Sequence, residues 1–221
     1  MKSNNRLYVD VHVLQTVPPS CVNRDDTGSP KTAIYGGAVR ARVSSQSWKK
    51  AMRDMFRDIF PKENLSARTK HIVQMVAEEI QELGGIDDPE KAAEQILKNA
   101  GLNIKTAENG TDALFFLSFA QAKALAKLAV NDPETIKAKC TKEAKTKVQN
   151  ALKGFPGIDI ALFGRMVADD PSLNTDACAQ VAHSISTHKV NNEYDYFTAV
   201  DDMAPEDNAG AGHIGTVEFN S

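Results

Sequence analysis

The strongest constraint on the fold is a stretch near residue 50 in which apolar and charged side chains fall on opposite sides of one helix. Apolar residues recur at spacings of three and four, as on a single helical stripe: Trp48, Ala51, Met52, Met55, Phe56 and Ile59. The polar and basic residues on the other side are Gln46, Lys49, Lys50, Arg53 and Arg57. This pattern predicts a helix from about Gln46 to Ile59, with one packed face, one basic face and Ser44 or Ser45 as the N-cap.

The loop before this helix carries a local excess of positive charge. Between Ser20 and Arg53 the acids are Asp25 and Asp26, whereas the basic residues are Arg24, Lys31, Arg40, Arg42, Lys49, Lys50 and Arg53. Because the whole chain has a net charge of -3, this excess marks a patch. A solvated surface helix would explain the helix alone. The loop favours a nucleic-acid-binding surface, in which the first N–H groups of the helix accept a phosphate beside Lys49.

Composition is that of a globular protein. The 221 residues are 42% hydrophobic, enough for one core or for a core with a satellite lobe. No apolar run approaches membrane-spanning length, and residues 7–15 alternate like a strand, so we expect no signal peptide, no membrane partner and a cytoplasmic protein. Cys21, Cys140 and Cys178 are far apart and lack a CxxC pattern, so neither a disulfide framework nor a metal site is expected.

The C-terminal segment is acidic. No Lys or Arg follows Lys189, and the acids beyond it are Glu193, Asp195, Asp201, Asp202, Glu206, Asp207 and Glu218. A chain with a basic region and an acidic extension predicts head-to-tail contacts between copies. An acidic loop in solvent is the alternative explanation.

The middle of the chain predicts a helical lobe. Helices are expected over residues 66–83, ended by Gly84-Gly85, over residues 89–100, begun by Asp88 and ended by Gly101, and over residues 135–152. Periodicity leaves residues 114–119 undecided between a buried strand and the first turns of a helix that continues to residue 130.

Two further features bear on binding. Residues 193–221 predict a protruding hairpin, with aromatic residues on the outgoing strand and a turn over residues 205–212. Aromatic residues on such an element either stack on bases or pack an interface. Met166 follows Gly164-Arg165 near the end of an element, where a methionine is either core filler or exposed.

Signatures of catalysis are weak. The pairs Asp25-Asp26, Asp169-Asp170 and Asp201-Asp202 lie in turn-like sequence, and adjacent carboxylates rarely chelate one metal together. Residues 210–215 fit a dinucleotide-binding fingerprint formally, but they precede a strand-like segment instead of a helix. We therefore expect no catalytic residue, no metal and no cofactor.

Several long segments, in order along almost the whole chain, resemble one protein family. They are SCVNRDD (residues 20–26), the Tyr35-Gly36-Gly37 step, RARVSSQS (40–47), KKAMR (49–53), IDIALFGRM (158–166), VAHSISTHKV (181–190), YFTAVDD (196–202) and HIGTVEF (213–219). On these motifs the chain resembles the guide-RNA-binding backbone subunit of the type I-E CRISPR surveillance complex, Cascade, called the CasC family.

The resemblance implies an α+β fold with an RRM-like, ferredoxin-type palm, an inserted helical fingers lobe and a thumb β-hairpin. It assigns residues 1–59 to the first part of the palm with its RNA-binding loop and helix, and 60–180 to the fingers. Residues 181–192 return to the palm, and 193–221 form the thumb and start the next palm strand. Family members continue beyond the point matching Ser221, so we expect an incomplete palm in which residues 7–15 have few strand partners.

The resemblance also implies a function. Several copies polymerise along one CRISPR guide RNA (crRNA), hold its backbone and present its bases to target DNA, together with other Cascade subunits. The implied contacts to the guide backbone are Arg24, Lys31, Lys49 and Arg53 for phosphates, with Ser44 and Gln46 near the helix start. The residues implied around a kinked base are Met166, Tyr196, Phe197 and Thr198. The lysines implied to face the DNA duplex include Lys137, Lys142 and Lys145.

The family subunit is a scaffold without cleavage chemistry, so no enzyme activity is expected. The alternative is a type III-like backbone subunit, or a metal-dependent RNase, that cleaves target RNA with Asp25 or Asp26. A protein-only assembly module is a third possibility. The chain departs from many relatives after the double glycine, where it has Ala38-Val39-Arg40 instead of adjacent basic residues, so its grip is expected to use one cation fewer.

Overall fold

The computed structural model describes residues 7–106, 110–167, 170–200, 202–203 and 211–221. Asp169 and Asp201 of the acidic pairs, and most of the turn predicted over residues 205–212, lie outside the described residues. The chain mixes α-helices with small β-sheets, as the sequence predicted, while the RRM-like form of the palm stays a prediction. Within the described residues, every helix is too short or too polar to cross a lipid bilayer.

The elements have the following bounds. The helices are α1 (Ser45–Ile59), α2 (Ile72–Leu83), α3 (Pro89–Asn99), α4 (Phe119–Asn131), α5 (Lys142–Lys153) and α6 (Ile158–Phe163). The strands are β1 (Thr32–Tyr35), β2 (Ala38–Val43), β3 (Ser66–Thr69), β4 (Ile104–Thr106), β5 (Gly110–Thr111), β6 (Phe115–Ser118), β7 (Ser184–Ile185), β8 (Asn192–Val200) and β9 (Ala211–Asn220).

The chain divides into two compact units. The sheet unit comprises Met1–Ser47 and Ala182–Ser221, and the helical unit comprises Trp48–Val181. Apart from Pro30, Val190 is the only buried apolar side chain described in the sheet unit. The hydrophobic core therefore belongs to the helical unit.

A three-stranded antiparallel sheet, in the order β1-β2-β7, organises the sheet unit. The two residues that connect β1 to β2, Gly36 and Gly37, have φ angles of +62° and +75°. Two consecutive positive φ angles are required by the tightest hairpin turns, and glycine adopts them without a steric cost. The double glycine of the Tyr35-Gly36-Gly37 step is thus explained by the hairpin geometry.

Residues 7–15 do not form the predicted strand. They lie outside any helix or strand, and the apolar side chains of Leu7, Val9, Val11 and Val13 are exposed. A strand needs hydrogen bonds from a neighbouring strand and a face to bury. None of the described strands pairs with this segment, so its alternating pattern has no partner to stabilise it.

The predicted hairpin near the C-terminus is confirmed. Strands β8 and β9 pair antiparallel from Asn192 opposite Asn220 to Val200 opposite Ala211. The hairpin is joined at its base to the loop near Ser20, because the backbone groups of Ser20 and Asn220 exchange two hydrogen bonds of 3.1 Å. The described side chains of β8 are exposed, while the protrusion of the hairpin stays a prediction.

The core of the helical unit lies between α2, α3, α4 and α5. Its fully buried side chains include Ile72, Val76, Ile80, Ile96, Leu97, Leu125, Val148 and Leu152. The helix ends follow the predicted signals. Asp88 Oδ1 accepts the N–H of Lys91 at 3.1 Å at the start of α3, and Gly84, with a φ of +72°, ends α2.

Other boundaries in the helical unit differ from the prediction. Residues 66–69 form β3 instead of the first turn of a helix, because they pair with β6 in the register Ser66 opposite Ser118. The ambiguous residues 114–119 contain that β6 strand, and α4 follows it directly. The helix predicted over residues 135–152 is only partly right, since a 3-10 turn at Pro133–Ile136 precedes α5.

Candidate nucleic-acid interface

Three cations lie on one face of the β1-β2-β7 sheet. The register places Arg40 opposite Ala33, and the next pair on the same face aligns Arg42 with Lys31, whose carbonyl accepts the Arg42 N–H at 2.9 Å. Side chains two residues apart on a strand share a face. Lys31, Arg40 and Arg42, called the cationic sheet face below, therefore lie on one face of the sheet, and each side chain is half-buried.

Backbone carbonyls fix both arginines of the cationic sheet face. Arg40 donates from Nε to the Tyr35 carbonyl and from Nη1 to the Ser186 carbonyl, both at 3.0 Å. Arg42 donates from Nε to the Thr32 carbonyl at 3.0 Å, and its Nη1 lies 3.3 Å from His183 Nδ1. Neutral acceptors orient the guanidinium groups without cancelling their charge.

The charge of this face is not neutralised by a salt bridge in the part of the chain that the structure describes. The ion pairs found there involve other cations, namely Lys50, Arg53, Lys98, Lys105, Lys137 and Lys147. Like charges directly opposite each other in a ladder destabilise a sheet. A bound polyanion would remove that repulsion.

Arg24 lies in a separate place within the sheet unit. Its Nη1 donates to the Gly28 carbonyl at 2.6 Å and is 3.5 Å from the Glu218 carbonyl on β9. Arg24 also borders an open groove of about 470 Å³, lined further by Pro19, Ser20, Cys21, Tyr194, Asp195, Val217 and Phe219. Arg24, which is predicted to bind a phosphate, therefore links the loop to the base of the hairpin.

The Asp25 carboxylate forms hydrogen bonds within its own loop. Its Oδ1 accepts hydrogen bonds from the N–H and the hydroxyl of Thr27, at 2.9 and 2.7 Å, and from the N–H of Ser29 at 3.0 Å. These bonds, the Thr27 hydroxyl first, lower the pKa of Asp25. Their stabilising effect is complete above the ordinary carboxyl pKa and is lost as the pH falls through the lowered value. The arrangement is that of a turn-forming aspartate.

Ser44 resolves the choice of N-cap for α1. The helix begins at Ser45, and the buried Ser44 accepts the N–H of Ser47 at its hydroxyl, at 3.3 Å. The Ser44 N–H in turn donates to Asn23 Oδ1 at 2.9 Å, which ties the helix start to the loop. Gln46 is exposed in the first turn. Ser44 thus shapes the helix start, and Gln46 is accessible there.

The basic face predicted for α1 is wrong for two of its residues. Lys49 and Arg53 are half-buried together with Met52 and Phe56, whereas Met55 is 62% exposed. The packed face is therefore rotated toward these cations. Sequence spacing could not show this, because it depends on what α6 places opposite the helix.

Residues of α6 and β6 contact Lys49 and Arg53. Arg53 Nε lies 3.3 Å from Asp159 Oδ2, with side-chain exposures of 17% and 4%, and its Cζ lies 4.5 Å from the centre of the Phe116 ring. Lys49 Nζ lies 5.8 Å from the centre of the Phe163 ring. Arg53 is therefore committed to an intramolecular ion pair, while the predicted RNA contacts of both residues stay predictions.

Met166 is exposed, which decides between the two alternatives left open by the sequence. Its side chain is 86% accessible, although both chain neighbours, Arg165 and Val167, are buried. It borders a small groove of about 80 Å³ that is also lined by Leu102, Asn103 and the segment from Thr111 to Phe115. An exposed apolar side chain of this kind is available to a partner.

The three residues predicted to form a base wedge do not share one surface. Along β8, Tyr196 and Thr198 point to one face of the hairpin and Phe197 to the other. Phe197 lies opposite Gly215, and an ideal Cβ built on Gly215 would be 2.4 Å from Phe197 Cζ. The ring of Phe197 thus crosses the neighbouring strand at the one residue type that leaves room for it.

The lysines predicted to face duplex DNA lie on or just before α5. Lys142 and Lys145 are exposed, and Lys137 pairs with Glu134. Lys147 is also ion-paired, to Asp132 at 3.1 Å and to Glu143 at 3.5 Å, and these acids raise the pKa of Lys147. Lys142 and Lys145 are therefore the more accessible cations of this group.

The described residues contain no group of three or more His, Cys, Asp or Glu side chains arranged to hold a metal ion. Cys21, Cys140 and Cys178 are free thiols. The predicted site residues belong to two units: Arg24, Lys31, Ser44, Gln46 and the hairpin residues to the sheet unit, and Lys49, Arg53, Met166 and the lysines to the helical unit.

Some features were not singled out by the sequence. Arg40 and Arg42 belonged to the charge excess, but they were not chosen as RNA ligands. Their spacing of two residues after a Gly-Gly turn is the signal that places them on one strand face. Asp159, the partner of Arg53, had no local signal, because the pair spans a long sequence separation.

The chain is similar to one described protein family and to chains of solved structures. The sequence model of the family described as CT1975-like protein matches residues 9–221. Among solved structures, a chain of a CRISPR RNA-guided surveillance complex in a pre-nicking state is 34% identical, with a TM-score of 0.74 over 93% of this chain and 59% of that chain. A chain of another CRISPR RNA-guided surveillance complex is 29% identical, with a TM-score of 0.58 over 93% and 60%.

The present chain thus spans about three fifths of the length of these solved chains. None of the curated proteins compared with it matches.

Proposed function

The chain belongs to the CT1975-like protein family, and from this premise we propose that it is a guide-RNA-binding backbone subunit of a CRISPR surveillance complex. The proposal rests on one observation: over 93% of its length the chain is similar to a chain of such a complex, with a TM-score of 0.74. The sequence motifs favour the type I-E complex, Cascade. Its other subunits and target DNA, paired with the guide, would then be further partners.

The cationic sheet face supplies the grip on the RNA backbone in this proposal. Lys31, Arg40 and Arg42 carry unneutralised charge on one surface, and Arg24 adds a cation at the base of the hairpin. Contacts to phosphates carry no sequence information, so guides of any spacer sequence would bind alike. Ser44 and Gln46 complete the backbone contacts at the start of α1.

The hairpin and Met166 supply the contacts to bases. Tyr196 and Thr198 on one face and Phe197 on the other suit an element inserted between two successive bases, each of which meets one face. Copies arranged head to tail would repeat this interruption along the guide and leave the bases between free to pair with DNA. The exposed Lys142 and Lys145, with Lys137, are assigned to the DNA duplex.

We propose no catalytic role for the chain. The alternative, an RNase using Asp25 or Asp26, requires a carboxylate free to bind a metal or to act on the RNA. Asp25 instead uses one oxygen for three hydrogen bonds within its turn. No observation specifically favours cleavage.

A salt titration of guide RNA binding tests the phosphate grip. The variant Lys31→Gln/Arg42→Gln removes two cations from the sheet face. We expect weaker binding and a less steep slope of log Kd against log salt. The slope should fall by about 0.7 for each phosphate that the variant no longer neutralises, or by about 1.4 for both.

The matched control is Lys98→Gln/Lys105→Gln, which removes two ion-paired cations of the helical unit. It should leave the slope unchanged. Equal slopes for the sheet-face variant and the wild type would refute the grip. Cleavage of labelled RNA by the wild type with divalent metal, abolished by Asp25→Ala or by Asp26→Ala, would instead favour the RNase.

A further inference from the structure

Met166 is held in water between two anchored residues. Its side chain is 86% exposed, whereas Arg165 is 5% and Val167 is 8% exposed. An apolar side chain gains stability when it is buried, and a chain free to move would turn a methionine toward the nearest core. The exposure of Met166 therefore indicates that interactions hold the backbone in place on both sides of it.

Arg165 provides the anchor before Met166. Its guanidinium donates hydrogen bonds to four neutral oxygens, three at 3.1 Å and one at 3.3 Å: the carbonyls of Leu173, Phe116 and Leu152, and Gln121 Oε1. Burial lowers the pKa of Arg165 to about 10, so the group still carries its charge at neutral pH. Four acceptors from four different segments leave this residue little freedom to move.

Asn174 provides the anchor after Met166. Its Oδ1 accepts the N–H of Val167 at 2.6 Å. Thr175, which follows Asn174, exchanges two backbone hydrogen bonds with Arg165, of 3.0 and 2.9 Å. The peptide groups on both sides of Met166 are thus fastened to residues 174–175.

Gly164 makes this close approach possible. Its φ is +77°, and an ideal Cβ at this position would lie 2.9 Å from the Thr175 carbonyl oxygen. A side chain there would strain the backbone and push Thr175 and Ala177 away. The glycine, the arginine and the asparagine therefore act together to fix one turn.

We propose that Asn174, together with the buried Arg165, is a positioning residue that presents Met166 to a nucleobase of the guide RNA. The proposal rests on the function proposed above. A nucleobase offers a flat π-face, and a thioether makes favourable contacts with aromatic rings. Because the turn is already fixed, little conformational entropy is lost when the contact forms.

Asn174 is the position at which this can be tested. Its side chain is exposed, so its truncation spares the core that Arg165 supports. Asn174→Ala removes the acceptor of the Val167 N–H. The double variant Asn174→Asp/Asp176→Asn restores an oxygen at the same place. It keeps the net charge of the segment constant, because the charge gained at position 174 is removed at position 176. Asp176 is also exposed, so its substitution spares the core.

The readout is the fluorescence of 2-aminopurine, substituted one position at a time along the guide, in the guide-loaded complex. Met166→Ala should change the fluorescence at the positions that it contacts and weaken guide binding about five-fold. Asn174→Ala should change the fluorescence and weaken guide binding in the same way. Asn174→Asp/Asp176→Asn should return the fluorescence and the affinity for the guide to the wild-type values. Asn174→Ala combined with Met166→Ala should be no worse than Met166→Ala alone.

The outcomes separate this proposal from the proposed function. If Met166→Ala changes the fluorescence and Asn174→Ala does not, the positioning role is wrong while guide binding stands. If neither variant changes the fluorescence although the guide binds, Met166 contacts no base and the positioning role is likewise wrong. If the wild type fails to bind the guide at all, the proposed function itself fails.

Discussion

Lys50 and Arg53 lie three residues apart on α1 but differ in what surrounds them. Lys50 pairs with Asp54 on the helix surface, with side-chain exposures of 68% and 46%. Arg53 instead pairs with Asp159 where both side chains are largely removed from water. Surface ion pairs add little to stability, whereas removal of one partner from a buried pair leaves a charge without compensation.

Arg53→Ala should therefore destabilise the protein by about 3 kcal/mol, because Asp159 is left buried and unpaired. Urea unfolding measures this change. Arg53→Met/Asp159→Leu should recover most of that stability, since an apolar pair of similar volume carries no desolvation cost.

The control for this prediction is Lys50→Ala on the same helix, which should leave the free energy of unfolding nearly unchanged. If Arg53→Ala proved as harmless as Lys50→Ala, the buried ion pair would not support the fold as argued. Arg53 would then be available for the RNA contact that its sequence motif suggests.

At the scale of elements, the C-terminal hairpin combines a ladder that keeps one register from Asn192 to Ala199 with one specialised position. Gly215 lies outside the left-handed region, so backbone geometry alone does not require glycine there. The space does, because the Phe197 ring covers the residue. Gly215 therefore sets where Phe197 lies on its face of the hairpin.

Gly215→Val should displace the Phe197 ring without unfolding the hairpin, because a β-branched residue suits a strand. Fluorine on the ring carbon Cζ of Phe197 reports on this directly, since Cζ is the atom nearest to the added Cβ, at 2.4 Å. We expect a changed ¹⁹F chemical shift and guide binding weakened as far as in Phe197→Ala.

Thr216→Val is the matched control for the hairpin. Thr216 is opposite Tyr196, on the other face, so its substitution should leave the ¹⁹F shift of the Phe197 label in place. An unchanged shift in Gly215→Val would mean that the ring does not rest on that glycine.

At the scale of the whole molecule, the two units differ in what stabilises them. The helical unit contains the hydrophobic core between α2, α3, α4 and α5. The sheet unit has small sheets, an exposed hairpin and Val190 as the one buried aliphatic side chain among its described residues. Burial of apolar surface is the dominant favourable contribution to folding.

A fragment of residues 48–181 should therefore fold alone and unfold cooperatively on heating. Hydrogen exchange of the whole chain should show strong protection of α2–α5 amides and weak protection of β8 and β9. A fragment that melts without cooperativity would show that the helical unit depends on the rest of the chain. Guide RNA should raise protection in β1 and β2 if the cationic sheet face binds it.

Signals that lie within a few residues of each other were sufficient to predict several elements. Asp88 begins α3, Gly84 ends α2, and the C-terminal segment pairs with itself. Each of these depends on local hydrogen bonds or on backbone angles that particular residue types favour. The motifs also indicated a CRISPR surveillance complex, and the solved chains that this chain resembles come from such complexes, while the CasC identity stays a proposal.

Tertiary structure alone decided the features that depend on distant partners. Residues 66–69 became a strand because residues 115–118 lie beside them, and residues 7–15 did not, because none of the described strands lies beside them. Asp159 pairs with Arg53, and Asn174 accepts the N–H of Val167 beside the exposed Met166. The physical reason is the same throughout: spacing along the chain gives the direction of a side chain on its element, but the neighbour it meets comes from elsewhere in the sequence.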